Sequence, residues 1–309
     1  QGNLGTSSWS YLVQGKDIYS FDNKALGKLR WKNSAFSEIN NEPVVVHLPS
    51  GDRPHLFITT ENGYLHRFDG KDGTHELLVS TRRDSCASDH LLASPVVQHS
   101  QNSNQQFNTA LEQNKHANED LVYVITQRGC GDETQNQVIA YYASSLQRAW
   151  AFNGAGEYAV GYGANSCTLD YTNNRLYCGT NIPQDRYQNS LWAIDTITGE
   201  LVWAVNVGSV FASPVLFNNT LYVATYNADL LAFDLNGNEL WKTKVTRLSN
   251  IIDSPVITVL AGESTPSIFV NDAGRRFYRI DEKNKQPELV WTAPSEQARA
   301  STPLVFDLK

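Results

Sequence analysis

The sequence predicts an all-β protein, a six-bladed β-propeller of four-stranded antiparallel blades. Three observations predict it. First, an apolar residue followed by Asp opens a turn, and a Trp follows seven to ten residues after the Asp. The copies are Phe21-Asp22 to Trp31, Ile194-Asp195 to Trp203, Phe233-Asp234 to Trp241 and Ile280-Asp281 to Trp291. Weaker copies run from Tyr142-Ala143 to Trp150, and from Phe68-Asp69 to Leu78 in the Trp place. Second, a Pro marker recurs upstream, in Glu42-Pro43-Val44, Ser94-Pro95-Val96, Ser213-Pro214-Val215, Ser254-Pro255-Val256 and Thr302-Pro303-Leu304. Third, the period is about 40–50 residues of short strands, which is the mark of propeller blades.

The strands, named A to D within each blade, follow in order. Trp9 to Val13, Ile18 to Phe21 and Leu29 to Trp31 read as B, C and D of a first blade that lacks an A. Residues 43–80, 93–152, 164–206, 209–245 and 254–293 each fit a whole blade. In the cleanest, Ala212 to Phe217 is A, with Pro near its start where a missing N–H is tolerated. Asn218-Asn219 turns the chain, since Asn accepts positive φ. Leu221 to Thr225 is B, Leu230 to Phe233 is C, and Asp234-Leu235-Asn236-Gly237 is a tight turn into D, Leu240 to Lys244. Thr302 to Phe306 reads as an A strand without a B. It is expected to complete the first blade, closing the ring with strand A from the C-terminus and strands B–D from the N-terminus, so that no sheet edge is left open. Residues 1–309 then form a single propeller domain. Residues 1–8 are an N-terminal extension, and 99–120 are a polar insert in blade 3 with one helical turn around Ala110 to Asn114. The repeated Asp is expected to accept turn N–H groups, and the Trp to pack between neighbouring blades.

Composition narrows the function. The formal charge is −7, from 25 Lys and Arg against 32 Asp and Glu. No basic cluster has the concentration that a nucleic-acid groove needs. No apolar run reaches the roughly 18 residues of a membrane span. The chain begins with Gln1 and contains no Met. That fits a removed signal peptide and a periplasmic or extracellular location; simple trimming accounts for it equally well.

Four cysteines stand at 86, 130, 167 and 178. An even count in an exported chain points to bridges; four buried thiols in a cytosolic protein is the other reading. No Cys-x-x-Cys occurs, so thioredoxin-type, zinc-ribbon and haem-attachment sites are absent. Pairing Cys167 with Cys178 also sets Leu169 opposite Leu176 on one hairpin face. Cys86 and Cys130 lie in two loops that leave the same blade on the same side, and are expected to pair. Asn218-Asn219-Thr220 is a glycosylation sequon inside a tight turn, near chance frequency.

On these repeats the chain resembles the PQQ-like, or quinoprotein-dehydrogenase-like, β-propeller family. The strongest segment is Asn189-Ser190-Leu191-Trp192-Ala193-Ile194-Asp195-Thr196-Ile197-Thr198-Gly199-Glu200-Leu201-Val202-Trp203. The family repeat similarly has Ala-x-Asp-x-x-Thr-Gly-x-x-x-Trp. WD and kelch repeats are disfavoured, because neither Trp-Asp nor Gly-Gly occurs. The family holds quinone-dependent dehydrogenases and non-catalytic scaffolds, such as the outer-membrane assembly lipoprotein of the BAM complex. Fold alone does not choose between them. The dehydrogenase resemblance implies PQQ with calcium, and Tyr177-Cys178-Gly179-Thr180-Asn181-Ile182-Pro183 resembles the segment whose Asn binds calcium. Here a second Gly is missing before Asn181, no acidic partner matches the family's other ligands, and the family's adjacent cysteine pair is absent.

All seven His lie between residues 47 and 116. His66 and His75 fall in one blade on either side of the Asp69 turn. No metal-binding His spacing occurs, so they read as core or surface residues. No Gly-x-Ser-x-Gly elbow is present.

Loops D–A and B–C share one propeller face. There, blade 3 carries long loops at Arg82 to His90 and Arg128 to Gln137, and blade 4 carries one at Asn181 to Asn189. Such growth in neighbouring blades marks a binding surface. The candidate partner-binding residues are Arg82, Arg83, Asp84, Arg128, Asp132, Glu133, Asp185, Arg186 and Tyr187. The function expected is an exported, non-enzymatic scaffold that binds another envelope or extracellular protein, with no cofactor. A PQQ-binding or cytochrome-docking redox protein and a cell-surface carbohydrate-binding propeller are the alternatives.

Overall fold

The computed structural model describes residues 9–48, 53–81, 89–100, 119–128, 136–155, 158–163, 165–181 and 189–292. Among the described residues are five four-stranded antiparallel sheets and one three-stranded sheet, with no helix. The architecture is the all-β, six-bladed propeller that the repeat predicts. The chain divides into two compact units, Gln1–Asp132 with Gln137–Ala151, and Glu133–Asn136 with Phe152–Lys309.

The first unit holds three blades. Blade 1 is β1 (Trp9–Gln14), β2 (Asp17–Asp22) and β3 (Lys28–Ser34). Blade 2 is β4 (Val44–His47), β5 (Pro54–Thr59), β6 (Tyr64–Asp69) and β7 (His75–Ser80). A short β8 (Asp89–His90) precedes blade 3, which is β9 (Val96–Gln98), β10 (Leu121–Ile125), β12 (Val138–Tyr142) and β13 (Arg148–Phe152). Between them β11 (Gln127–Arg128) follows β10. β1 is an edge strand of its sheet, opposite the Trp-bearing β3. Along it runs a groove of about 510 Å³ that Asn41, Glu42, Pro43 and Val45 also line. The segment expected to close the ring, Thr302 to Phe306, lies outside the described residues, as does the insert segment 110–114.

The second unit opens with β14 (Gly154–Ala155) and β15 (Tyr158–Ala159). Blade 4 is β16 (Thr168–Asp170), β17 (Arg175–Gly179), β18 (Leu191–Asp195) and β19 (Leu201–Val205). Blade 5 is β20 (Val215–Phe217), β21 (Thr220–Ala224), β22 (Asp229–Phe233) and β23 (Glu239–Lys244). Blade 6 is β24 (Val256–Thr258), β25 (Ser267–Asn271), β26 (Arg276–Asp281) and β27 (Pro287–Thr292).

Middle strands are rich in apolar residues and largely buried because both sheet faces are covered by neighbouring blades. β5, β10 and β22 are buried throughout. The outer strands β13 and β23 alternate over most of their length, as half-exposed strands do. The turn Asp works as expected. Asp195 Oδ1 accepts from the N–H groups of Ile197 (2.8 Å) and Thr198 (3.0 Å), and Asp22, Asp69, Asp234 and Asp281 repeat the pattern. Between turn and Trp each C–D pair carries a β-bulge, at Ser20/Phe21, Ala193/Ile194, Ala232/Phe233 and Phe277/Tyr278. Opposite three of the Trp residues stand small partners: Ser20 faces Trp31, Ala193 faces Trp203, and Ala232 faces Trp241.

Trp31 and Trp203 each reach the next blade, donating to the Gly70 carbonyl (3.2 Å) and the Leu235 carbonyl (3.0 Å). Trp291 departs from the rule. It stands opposite the bulky Phe277, which stacks on Phe269 at 5.5 Å, and is 58% exposed.

Candidate functional site

The D–A and B–C loops of the first unit are tied sideways through backbone carbonyls. The Glu61 N–H donates to the Glu38 carbonyl (2.9 Å), and His90 Nδ1 donates to the Glu61 carbonyl (2.7 Å). Thr59 donates its hydroxyl to the Ala93 carbonyl at 2.7 Å, and the Ser94 hydroxyl accepts from the Glu42 N–H at 3.0 Å. These bonds fix three successive loop roots. β8 and β11 then pair, with His90 opposite Gln127 and Asp89 opposite Arg128. Both long loops of blade 3 therefore start from one two-stranded ladder, which places the backbone of Arg128.

In the second unit the pattern repeats. Tyr162 and Asn181 form a two-way backbone bridge, 2.9 Å in each direction. A Cβ on Gly161 would lie 2.4 Å from the Asn181 carbonyl oxygen, so this close approach needs glycine. The Tyr226 N–H donates to the Ser209 carbonyl (2.8 Å), the Val210 N–H to Thr180 (3.0 Å) and the Ala273 N–H to Asn250 (2.7 Å). The Phe211 and Tyr226 rings pack at 4.9 Å.

Of the sequence-derived candidates, Arg82, Arg83, Asp84, Asp132, Glu133, Asp185, Arg186 and Tyr187 lie outside the described residues, as do Cys86 and Cys130. Cys167 and Cys178 form the expected disulfide, with Cα atoms 4.4 Å apart, and Leu169 stands opposite Leu176.

Two exposed residues on these loops escape a reading based on loop length. Phe36 is 66% exposed and Leu248 is 73% exposed. Leu248 sits beside Arg247 and Lys244 at a polar hollow of about 430 Å³. The available signal was a lone large apolar residue inside a polar D–A loop.

Asp253, next to the Ser254-Pro255 marker, has a buried carboxylate oxygen without a hydrogen-bond partner, and burial raises its pKa. His99 is raised instead, because its ring bonds to the buried Asp120 carboxylate at 3.0 Å.

Two features bear on the quinone and calcium of the dehydrogenases. Both backbone groups of Asn181 are committed to Tyr162. The disulfide joins opposite strands of a hairpin, and both of its cysteines are buried, so it offers no open stacking surface. His66 and His75 come together, which their spacing did not predict: His66 Nδ1 lies 3.2 Å from His75 Nε2. Burial first, then the neighbouring His75, lowers the His66 pKa to about 4. Burial also lowers that of His75. Among the described residues no helix is long and apolar enough to cross a membrane.

Comparison with known proteins adds three structural likenesses. A family profile described as outer membrane protein assembly factor BamB matches residues 14–284. The crystal structure of BamB from Moraxella catarrhalis is similar at TM-score 0.58 and 14% identity, covering 97% of this chain and 89% of that one. A quinohemoprotein alcohol dehydrogenase, ADHIIG from Pseudomonas putida HK5, is similar at TM-score 0.61 and 14% identity. That likeness covers 89% of this chain and 50% of the dehydrogenase. The Dos1 propeller is similar at TM-score 0.60 and 13% identity, over 92% and 68% of the two chains. At such identities these likenesses concern the fold. Among curated proteins none matches.

Proposed function

The chain belongs to the family of outer membrane protein assembly factor BamB, and on that premise we propose that it is an exported, non-enzymatic scaffold. It binds another envelope protein through the face that bears the D–A and B–C loops. The observation supporting this face is the β8–β11 ladder, which roots both long loops of blade 3 in paired backbone. A rooted loop loses less conformational freedom on binding than a free one. Arg128, Asp132, Asp185, Arg186 and Tyr187 supply the polar and aromatic contacts, and Arg and Tyr are enriched among binding hot spots. Phe36 and Leu248 supply exposed apolar anchors.

The test is a pull-down from native envelope with the full chain as bait. A specific partner is expected, and its recovery should fall at least tenfold with Arg186→Ala plus Tyr187→Ala, or with Leu248→Ala plus Arg247→Ala. The melting temperature should stay nearly unchanged. A partner that tolerates both double variants but is lost on deletion of 99–120 would move the interface to the opposite face. An absorbance band of a quinone in the purified protein would overturn the non-enzymatic reading.

A further inference from the structure

His66 and His75 lie beneath Phe36 of the loop surface, and the scaffold function makes no direct use of the two rings. His66 is fully buried on β6, in blade 2, where its stacked neighbour Phe68 belongs to the apolar cluster of Ile18, Ile39, Leu56 and Ile58. A polar ring in such a place must have its hydrogen bonds assigned. The Thr60 hydroxyl donates to Asn62 Oδ1 at 2.7 Å, so it meets His66 Nε2, 3.4 Å away, as an acceptor. That assigns the hydrogen of His66 to Nε2. His75 turns Nε2 toward His66, which leaves Nδ1 for its backbone hydrogen bond with Leu77. That bond favours the protonated ring, so His75 donates there. With these tautomers His66 Nδ1 and His75 Nε2 turn toward each other at 3.2 Å as two acceptors; the other tautomer of either ring makes this contact a direct hydrogen bond.

We propose that His66 and His75 form a two-imidazole site for a divalent transition ion of the zinc or copper class, held between His66 Nδ1 and His75 Nε2. Two nitrogens at about 2.0–2.1 Å from a tetrahedral ion lie roughly 3.3 Å apart, which the pair matches without rearrangement. Each ring also has the outer hydrogen bond that orients metal-binding imidazoles, to Thr60 Oγ1 and to Leu77. Imidazole donors select zinc, copper and nickel, with copper(II) bound most tightly. Among the described residues no third His, Cys, Asp or Glu joins the pair, so water completes the coordination and the ion exchanges. Phe36 packs against both rings, at 5.7 and 5.6 Å, and covers the site.

The experiment uses the full chain, stripped with chelator and titrated with zinc chloride or copper sulfate. One equivalent should bind, and at a hundred times Kd the melting temperature should rise by about 4 °C. Bound copper(II) should show two nitrogen ligands by electron paramagnetic resonance. His75→Asn should abolish both effects, while the surface control His47→Asn should keep them. Zinc should also protect His75, the partly exposed ring of the pair, from diethyl pyrocarbonate in the wild-type protein, a readout that needs no folded variant. Equal shifts in wild type and His75→Asn, or no protection of His75, would overturn the proposal.

Discussion

Gly237 lies against the indole of Trp203: a Cβ built on the glycine would sit 2.7 Å from the ring. Gly73 stands in the same relation to Trp31, also at 2.7 Å. In both cases an outer-strand Trp of one blade slides under the C–D turn of the next. Both glycines have positive φ, +84° and +81°. Gly237→Ala or Gly73→Ala is therefore expected to cost roughly 2–4 kcal/mol, from strain and overpacking together. Gly208, at φ +85° with nothing within 4 Å, is the control. Its replacement by Ala should cost only about 1 kcal/mol. Urea unfolding of the three variants separates the contributions, and equal losses would mean that the indole contact is immaterial.

Reduction of Cys167–Cys178 should lower stability by about 2–3 kcal/mol, the chain-entropy value for so short a loop. Peptide mapping without reductant is expected to find this bridge and a second, Cys86–Cys130. The second follows from the ladder: Cys86 is three residues before Asp89, Cys130 is two after Arg128, and Asp89 stands opposite Arg128. Both cysteines are thus within three residues, in sequence, of the paired backbone from which the two loops leave, and the bridge needs the loops to depart from the ladder register, since level pairing would set residue 87 opposite 130. Free thiols at 86 and 130 would refute that pairing.

Arg67 binds three partners from one guanidinium. Its Nη1 donates to the carbonyls of Ala143 and Ser144, both at 2.7 Å, and its Nε to Glu76 at 2.9 Å. It thereby joins blade 2 to the C–D turn of blade 3. Lys lacks the planar fork. Arg67→Lys should cost roughly 1–2 kcal/mol and Arg67→Ala roughly 2–3 kcal/mol, because the latter removes the donor of the Ala143 and Ser144 carbonyls, while Glu76 keeps His55 and Arg53. Thermal unfolding that ranked the variants in the reverse order would contradict this assignment.

Asp253 is destabilising at neutral pH. Its pKa is raised by burial, so the folded state holds the proton more tightly than the unfolded state. Its favourable contribution is present at acid pH and is lost as pH rises through the folded pKa. Asp253→Asn should accordingly stabilise the protein at pH 7 and leave it little changed at pH 3. A uniform effect across that range would show that ionisation is not the cause.

The blades were legible because their chemistry is local. Asp234 and Gly237 mark a turn, and Leu230 to Phe233 marks a strand, without reference to any distant residue. The hairpin that sets Cys167 beside Cys178 was readable for the same reason. The meeting of His66 with His75 was not, since two His nine residues apart across a turn become neighbours only through the bulged register of β6 and β7. Phe36 and Leu248 were missed because an exposed apolar side chain differs from a buried one only in tertiary context. Trp291 shows the converse: it carries the repeat signature, yet its cross-strand partner Phe277 denies it the seat that Ser20, Ala193 and Ala232 offer their partners.

In four blades the bulged residue is the one immediately before the Trp: Arg30, Val202, Leu240 and Val290. That residue works as a phase correction between two clocks. The turn sets one alternation of side chains and the interblade seat of the Trp sets another, and the surplus residue reconciles them. Length changes within the turn are thus insulated from the seat, which is why the distance from Asp to Trp varies from seven to nine residues among Trp31, Trp203 and Trp241 while the indole keeps its place beside the bulge. Removing Val202 would strip out the correction itself and turn Trp203 to the opposite face of its strand. An outer strand of this kind tolerates insertion on one side of a single residue and none at it.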